Sequence, residues 1–385
     1  LKRYIIRNAR VVLEDKVVPG AEVAVCDGKI VGVGRIVHLE DAEWTVVDAE
    51  GLYLGPGFVE LHIHGGDTLG FESPQPEAVS RLCRFLLGNG VTTFLPTLQC
   101  DLEAIARVAE ALRRDESTAS RVAGVYVEGP FVSRGKRGGI LEETIRKPDC
   151  EYLDQIIAAA DGHLSLMTVA PELAGAEEIV RRLTENAIVP CWGHSECRVD
   201  QVPRLDGFRS NVTHLFNGMS PISHKDAGLA MLPFLDPETY FELNGDGIHV
   251  NEAAVQMCYR HLNLDRMILI SDAVVSAGRG PGEYRYFDRT VVSGANGVRY
   301  EDGTLIGSNC LIPEVVRRFI ETTGANLADA IRLATLNPCR LLGIDDRRGS
   351  IAVDKEADLV LFDDELRVKR VFAGGVTSQE EAPFR

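Results

Sequence analysis

The sequence predicts an α/β protein: a (β/α)8 TIM-like barrel with a small β-sandwich domain built from both chain termini. Three observations carry this expectation. Both ends of the chain read as short alternating strands, the middle alternates apolar β-rich runs with helical text, and metal-ligating residue types recur where those runs end.

Residues 4–36 (YIIRNARVVL, then AEVAVCDGKIVGVG) are β-branched alternating runs separated by Gly and Asp, and residues 349–376 read the same way. Each end alone is too small to bury a good core. They are therefore expected to pack together, giving a discontinuous β domain over 1–54 and 346–385 and leaving 55–345 for the barrel. In that middle region the strand candidates end near Leu61, Pro96, Glu128, Val169, Trp192, His214, Gly245 and Ser271. Helical stretches such as EAVSRLCRFLLGNG, DLEAIARVAEALRRD and EEIVRRLTENA intervene. Eight β–α steps suit a (β/α)8 barrel, usually about 250 residues long. A doubly wound sheet is the alternative, but no GxGxxG fingerprint follows a strand. EDGTLIGSN, after the eighth strand, reads as a turn whose glycines permit close backbone approach to a ligand. NLADAIRLATLNPCRLLGI reads as one barrel-closing helix.

Composition narrows the function classes. Over 385 residues the chain is 45% hydrophobic and 25% charged, which excludes a disordered or collagen-like protein. Its net charge of −16 argues against general nucleic-acid binding, which needs a basic footprint. No run approaches the roughly 18 apolar residues that a membrane helix needs, and the first ten residues lack the apolar core of a secretion signal. Nine cysteines, none in a CxxC pair, read as free thiols and point to a cytoplasmic protein.

His62 and His64 form an H-x-H pair in GPGFVELHIHGG, at the end of the first barrel strand. Residues i and i+2 of a strand share a face, so both imidazoles can reach one cation. Alone, the pair reads equally well as two polar residues at a strand end. Glu128 closes AGVYVEGP, His194 follows IVPCWGHS, His214 closes NVTHLFN and Asp272 follows MILISDA. All strand ends of a barrel that face this way share one rim, where active sites are built. Six ligand-type residues there predict one or two divalent ions, with zinc first and iron, cobalt or manganese as alternatives. His62, His64, Glu128 and Asp272 suit one ion; Glu128, His194 and His214 suit a second, with Glu128 bridging. A metal lowers the pKa of water towards about 7. Asp272 beside it is then the expected general base, able to hand its proton to a leaving amine.

PGFVELHIHGG, VYVEGPF, GHS, THLFNGM, DGIHV, SDA, DGTLIGS and LNPCRLLGI resemble, in that order and through nearly the whole chain, the N-acetylglucosamine-6-phosphate deacetylases of the amidohydrolase superfamily. The resemblance implies a metal-dependent hydrolase, usually a homodimer, that releases acetate from an N-acetyl amino sugar phosphate. It implies that His249 contacts the sugar and helps polarise the acetyl carbonyl. Asn217 and the backbone N–H of Gly218 are implied as further substrate contacts.

At the phosphate end the likeness weakens. Lys225 stands where the family usually carries Arg, supplying a point charge in place of a bidentate fork. Ile140 stands where a His is common, and it cannot hydrogen-bond. Lys136, Arg137 and His224 are candidates for substitute charge, with solvated surface as their plainer reading. The alternatives are a different or unphosphorylated N-acetyl amino sugar, a cyclic amide, and a barrel that lost catalysis and serves as an interaction protein.

Overall fold

The computed structural model describes residues 3–36, 44–115, 117, 121–205, 207–374 and 376–377. The outermost parts of the expected terminal domain, 1–2 and 378–385, and its stretch 37–43 lie outside the described residues. The chain divides into two compact units: Leu1–Glu60 with Arg84–Thr93 and Ile312–Arg385, and Leu61–Cys83 with Phe94–Leu311.

In the first unit the two chain ends meet in one eight-stranded sheet. Tyr53–Pro56 lies between the long N-terminal strand Arg3–Val12, to which it is parallel, and the C-terminal strand Leu359–Phe362, to which it is antiparallel. Alternate residues point inward as the period of two requires. Tyr4, Ile6, Val11, Val23, Leu54, Leu359, Leu361 and Phe372 thereby form a common buried core, with Tyr4 stacked on Phe372 at 5.4 Å between ring centroids.

The eight expected barrel strands are all present: Phe58–Ile63, Val91–Gln99, Val125–Glu128, Leu164–Val169, Val189–Trp192, Asn211–Val212, Tyr240–Asn244 and Met267–Ile270. They neighbour one another in chain order in a single sheet. The first and last strands are tied beyond their ends: Asp272 N–H donates to the His62 carbonyl at 3.0 Å, and His64 N–H to that of Ala273 at 2.8 Å. The result is a (β/α)8 barrel. Its strands read as near-continuous apolar runs because parallel strands are buried on both faces.

Two local expectations fail. The single closing helix is two, Leu327–Leu333 and Leu336–Leu342. Pro338 lacks the N–H that would reach back to Ala334, so the helix breaks there; the Ala334 carbonyl accepts instead from Val59 N–H at 2.9 Å. The segment around EDGTLIGSN is more than a turn. Leu305–Gly307 is the last strand of a four-stranded antiparallel sheet with Gly282–Tyr286, Arg289–Gly294 and Gly297–Tyr300. All nine cysteines are free thiols, seven of them buried. No helix among the described residues is long and apolar enough to cross a membrane.

Candidate metal and hydrolase site

The six ligand-type residues converge. His62, His64 and Asp272 form one buried group and Glu128, His194 and His214 another. Glu128 Oε1 lies 2.9 Å from both His194 Nε2 and His214 Nε2, while its Oε2 lies 3.4 Å from His64 Nε2. Asp272 Oδ1 is 3.7 Å from His62 Nε2 and 3.6 Å from His64 Nε2. Glu128 thus touches both groups.

Backbone geometry explains why these side chains meet. Glu128 ends its strand. His194, His214 and Asp272 all sit just past one, with φ of 47°, 29° and 49°. Left-handed conformations are costly for residues with a Cβ and cluster at functional sites. Three in one rim turn the side chains from the strand ends onto a common point. Gly218 supports the same turn: a Cβ there would stand 2.9 Å from His194 Nδ1 and 3.0 Å from the Lys136 carbonyl oxygen.

The donor set fits a cation. His194 Nδ1 donates to the Lys136 carbonyl at 2.7 Å, so a neutral His194 presents only a lone pair at Nε2. That lone pair faces a carboxylate oxygen at 2.9 Å and His214 Nε2 at 3.0 Å. His62 repeats the pattern, with Nδ1 donating to Glu242 at 2.9 Å and Nε2 facing His64 Nε2 at 3.3 Å. Lone pairs crowded this way need positive charge between them, and imidazoles oriented through their far nitrogen are the usual metal-site arrangement. Burial disfavours charge on His62, yet the neighbouring acids Glu242, Asp272 and Glu128 push its pKa up to about 10. Burial likewise opposes the Glu128 charge, but His194, His214 and His64 hold its carboxyl well below the usual carboxylate range.

A cavity of about 280 Å³ opens over this cluster. His249 reaches it with Nε2 3.5 Å from Asp272 Oδ2, while its Nδ1 donates to Asp246 Oδ2 at 2.7 Å. Burial lowers the His249 pKa, but the Asp246 bond and the Asp272 charge outweigh it and the net shift is upward. Asn217, Gly218 and Ile140 line the cavity too. Lys225 is exposed and does not line it, nor do Lys136, Arg137 and His224. Sequence reasoning missed Glu242 and Asp246, which orient His62 and His249, and the wall residues Gln99, Tyr286 and Tyr300. An acid inside the apolar run of YFELN was the available signal for Glu242.

A barrel whose strand ends gather two imidazole–carboxylate groups under a cavity defines a hydrolase of the metal-dependent barrel class. Residues 53–378 match the amidohydrolase family. The chain is 32% identical to the N-acetylglucosamine-6-phosphate deacetylase of Bos taurus over 87% of its own length and 86% of that protein's. It is 29% identical to the N-acetylgalactosamine-6-phosphate deacetylase of Escherichia coli O157:H7, over 97% and 98% respectively. The structure of a point mutant of N-acetyl-D-glucosamine-6-phosphate deacetylase from Mycobacterium smegmatis in complex with N-acetyl-D-glucosamine-6-phosphate superposes with a TM-score of 0.88 at 26% identity, covering 98% of this chain and 99% of that one. The chain belongs to the N-acetylglucosamine-6-phosphate deacetylase family of the amidohydrolases.

Proposed function

We propose that this chain removes acetate from an N-acetylhexosamine 6-phosphate, most simply N-acetylglucosamine 6-phosphate, giving glucosamine 6-phosphate. The observation that carries the reading is Glu128 Oε1 at 2.9 Å from two imidazole nitrogens, beside the His62–His64–Asp272 group. His62, His64, Glu128, His194, His214 and Asp272 would hold one or two divalent ions, with zinc best suited to the imidazole–carboxylate set. When bound, such an ion supplies Lewis acidity and a water that is reactive near neutral pH.

The chain's own residues supply the rest. Asp272 turns one oxygen towards His62 and His64 and the other towards His249. In that position it takes the proton of the attacking water and returns it to the departing amine nitrogen. Asp246 fixes the His249 ring through Nδ1 and favours its charged form, leaving an Nε2–H to donate to the acetyl oxygen as negative charge develops there. Asn217 and Gly218, on the cavity wall, position the sugar. We further read the protein as a cytoplasmic homodimer with no nucleic-acid partner.

A second reading, a different or unphosphorylated N-acetyl amino sugar, is favoured by two specific observations. Ile140 presents an apolar surface to the cavity, and Lys225 is exposed outside its lining. Acetate release from a panel of N-acetylhexosamines, with and without 6-phosphate, decides between them. Metal-reconstituted protein should turn over a 6-phosphate best, whereas preference for a free sugar would transfer the assignment to the second reading. No acetate from any of them would overturn both.

A further inference from the structure

Beneath the cavity lies one acid that the proposed chemistry does not use. Glu242, on the seventh barrel strand, is fully buried and receives three hydrogen bonds. His62 Nδ1 donates to Oε2 at 2.9 Å, the backbone N–H of His214 to the same oxygen at 3.0 Å, and Asn211 Nδ2 to Oε1 at 2.7 Å. His62 and His214 belong to different ligand groups. A single carboxylate oxygen therefore joins the two.

We infer that Glu242 is a positioning residue that couples the two ligand groups, setting the ring of His62 and the backbone of His214 together. This rests on the metal reading above. Accepting from Nδ1 keeps the lone pair of His62 on Nε2, on the side where Glu128 and Asp272 gather, and the negative partner raises the basicity of that nitrogen. Accepting from His214 N–H anchors a residue held at φ 29°, a conformation that needs outside support. Asn211 completes the shell of the acid. Burying a carboxylate is costly unless it is fully hydrogen-bonded, and here it has three donors of good length.

The surroundings also make a clean test available. Asn211 Oδ1 is buried without a hydrogen-bond partner among the described residues. Its amide can therefore turn over to accept from the new amide of Glu242→Gln, so that variant removes the charge while keeping the shape and the three bonds at position 242, at the cost of the long Asn211 Nδ2 bond to Cys191 Sγ at 3.5 Å. Glu242→Leu removes both. Cobalt(II) titration of chelator-stripped protein, followed by equilibrium dialysis and visible absorption, reads the result without reference to turnover. Cobalt affinity should fall about tenfold in Glu242→Gln and about 100-fold in Glu242→Leu, with altered cobalt bands in both. Thermal melting reports whether each variant folds; if Glu242→Leu does not, Glu242→Gln decides alone. Wild-type affinity and an unchanged cobalt spectrum in a folded Glu242→Gln would overturn the inference while leaving the metal reading intact. Failure of the wild-type chain to take up cobalt would remove the metal reading and this coupling with it.

Discussion

The deep end of the cavity and its outer wall are built of different material. The deep end is six side chains at barrel strand ends, all buried, each placed by a strand terminus or a left-handed turn, with Glu128 bonded at 2.9 Å to His194 and His214. The wall comes from elements appended to the barrel: the loop through Gly138, Gly139 and Ile140 and the four-stranded sheet that carries Tyr286, Tyr300 and Ile306. A few polar bonds and the packing of Leu141 against the sheet hold these parts together. Gln99 Oε1 accepts from Leu141 N–H at 2.9 Å, and the Tyr300 hydroxyl donates to the Gly139 carbonyl at 3.3 Å. A Cβ on Gly139 would come within 3.1 Å of the Ile306 Cα. The deep end can change little without losing its charge balance. The wall can change residue by residue, so under the proposed function reaction and substrate choice would be housed in separate parts of one cavity.

Mutation should separate the two. The largest effect is expected at Glu128, which touches both ligand groups: Glu128→Ala should abolish acetate release and lower the metal content of purified protein, measured by elemental analysis. Full metal content with full turnover would break the distinction at its root. Asp272→Asn comes next. The folded chain should melt near the wild-type temperature, while kcat falls roughly 10²- to 10⁴-fold, as expected on losing a general acid–base group. Near-normal kcat would remove Asp272 from that role. At the wall, Ile140→Ala should raise KM by roughly 10- to 200-fold and leave kcat close to wild type, since a methylene missing from a pocket is worth roughly 1–3 kcal/mol. A kcat effect as large as that of Asp272→Asn would show that wall and deep end do not divide the work.

The same contrast decides what the sequence disclosed. The barrel was legible because each strand is an apolar run of the right length between helical segments, and the deep end because ligand-type residues end those runs. Their mutual distances follow from barrel closure, which puts strand ends on one rim whatever the chain separation. The wall was less legible. RTVVSG, GVRY and LIG do carry alternating β-branched text around an Ala295–Asn296 turn, a hairpin signal. Nothing in that text says which face turns to the cavity, so Tyr286 and Tyr300 could not be placed. Glu242 and Asp246 were missed for another reason. Each orients a histidine ring through a bond to Nδ1, and the partner of a ring nitrogen is a fact of three-dimensional packing, not of spacing. The split of the closing helix was foreseeable from Pro338 alone, because the lost N–H falls one turn after Ala334.

The smallest effect on turnover, though not on stability, belongs to a residue at the junction of the two regions. Glu72 accepts from Gln99 N–H at 3.3 Å, and its other oxygen is buried with no hydrogen-bond partner among the described residues, near the ring that Tyr286 presents to Gly70. Burial pushes its carboxyl up to about 7, only partly offset by the nearby His64. Because the folded-state value lies above the ordinary one, the folded chain binds the proton more tightly than the unfolded chain between those two values. Stability should therefore decline as pH rises from about 4.5 to about 7, by up to about 3 kcal/mol for this group. Glu72→Gln keeps the shape and cannot ionise, so in chelator-treated protein its melting temperature should lose that part of the decline. The variant should be more stable than wild type at pH 8 and nearly equal to it at pH 4.5. A positive ion at His64 would stabilise the ionised carboxylate, so divalent metal should shrink the difference between the two proteins. Identical melting curves for both proteins across this pH range, with and without metal, would show that Glu72 is solvated in solution and does not join the wall to the deep end.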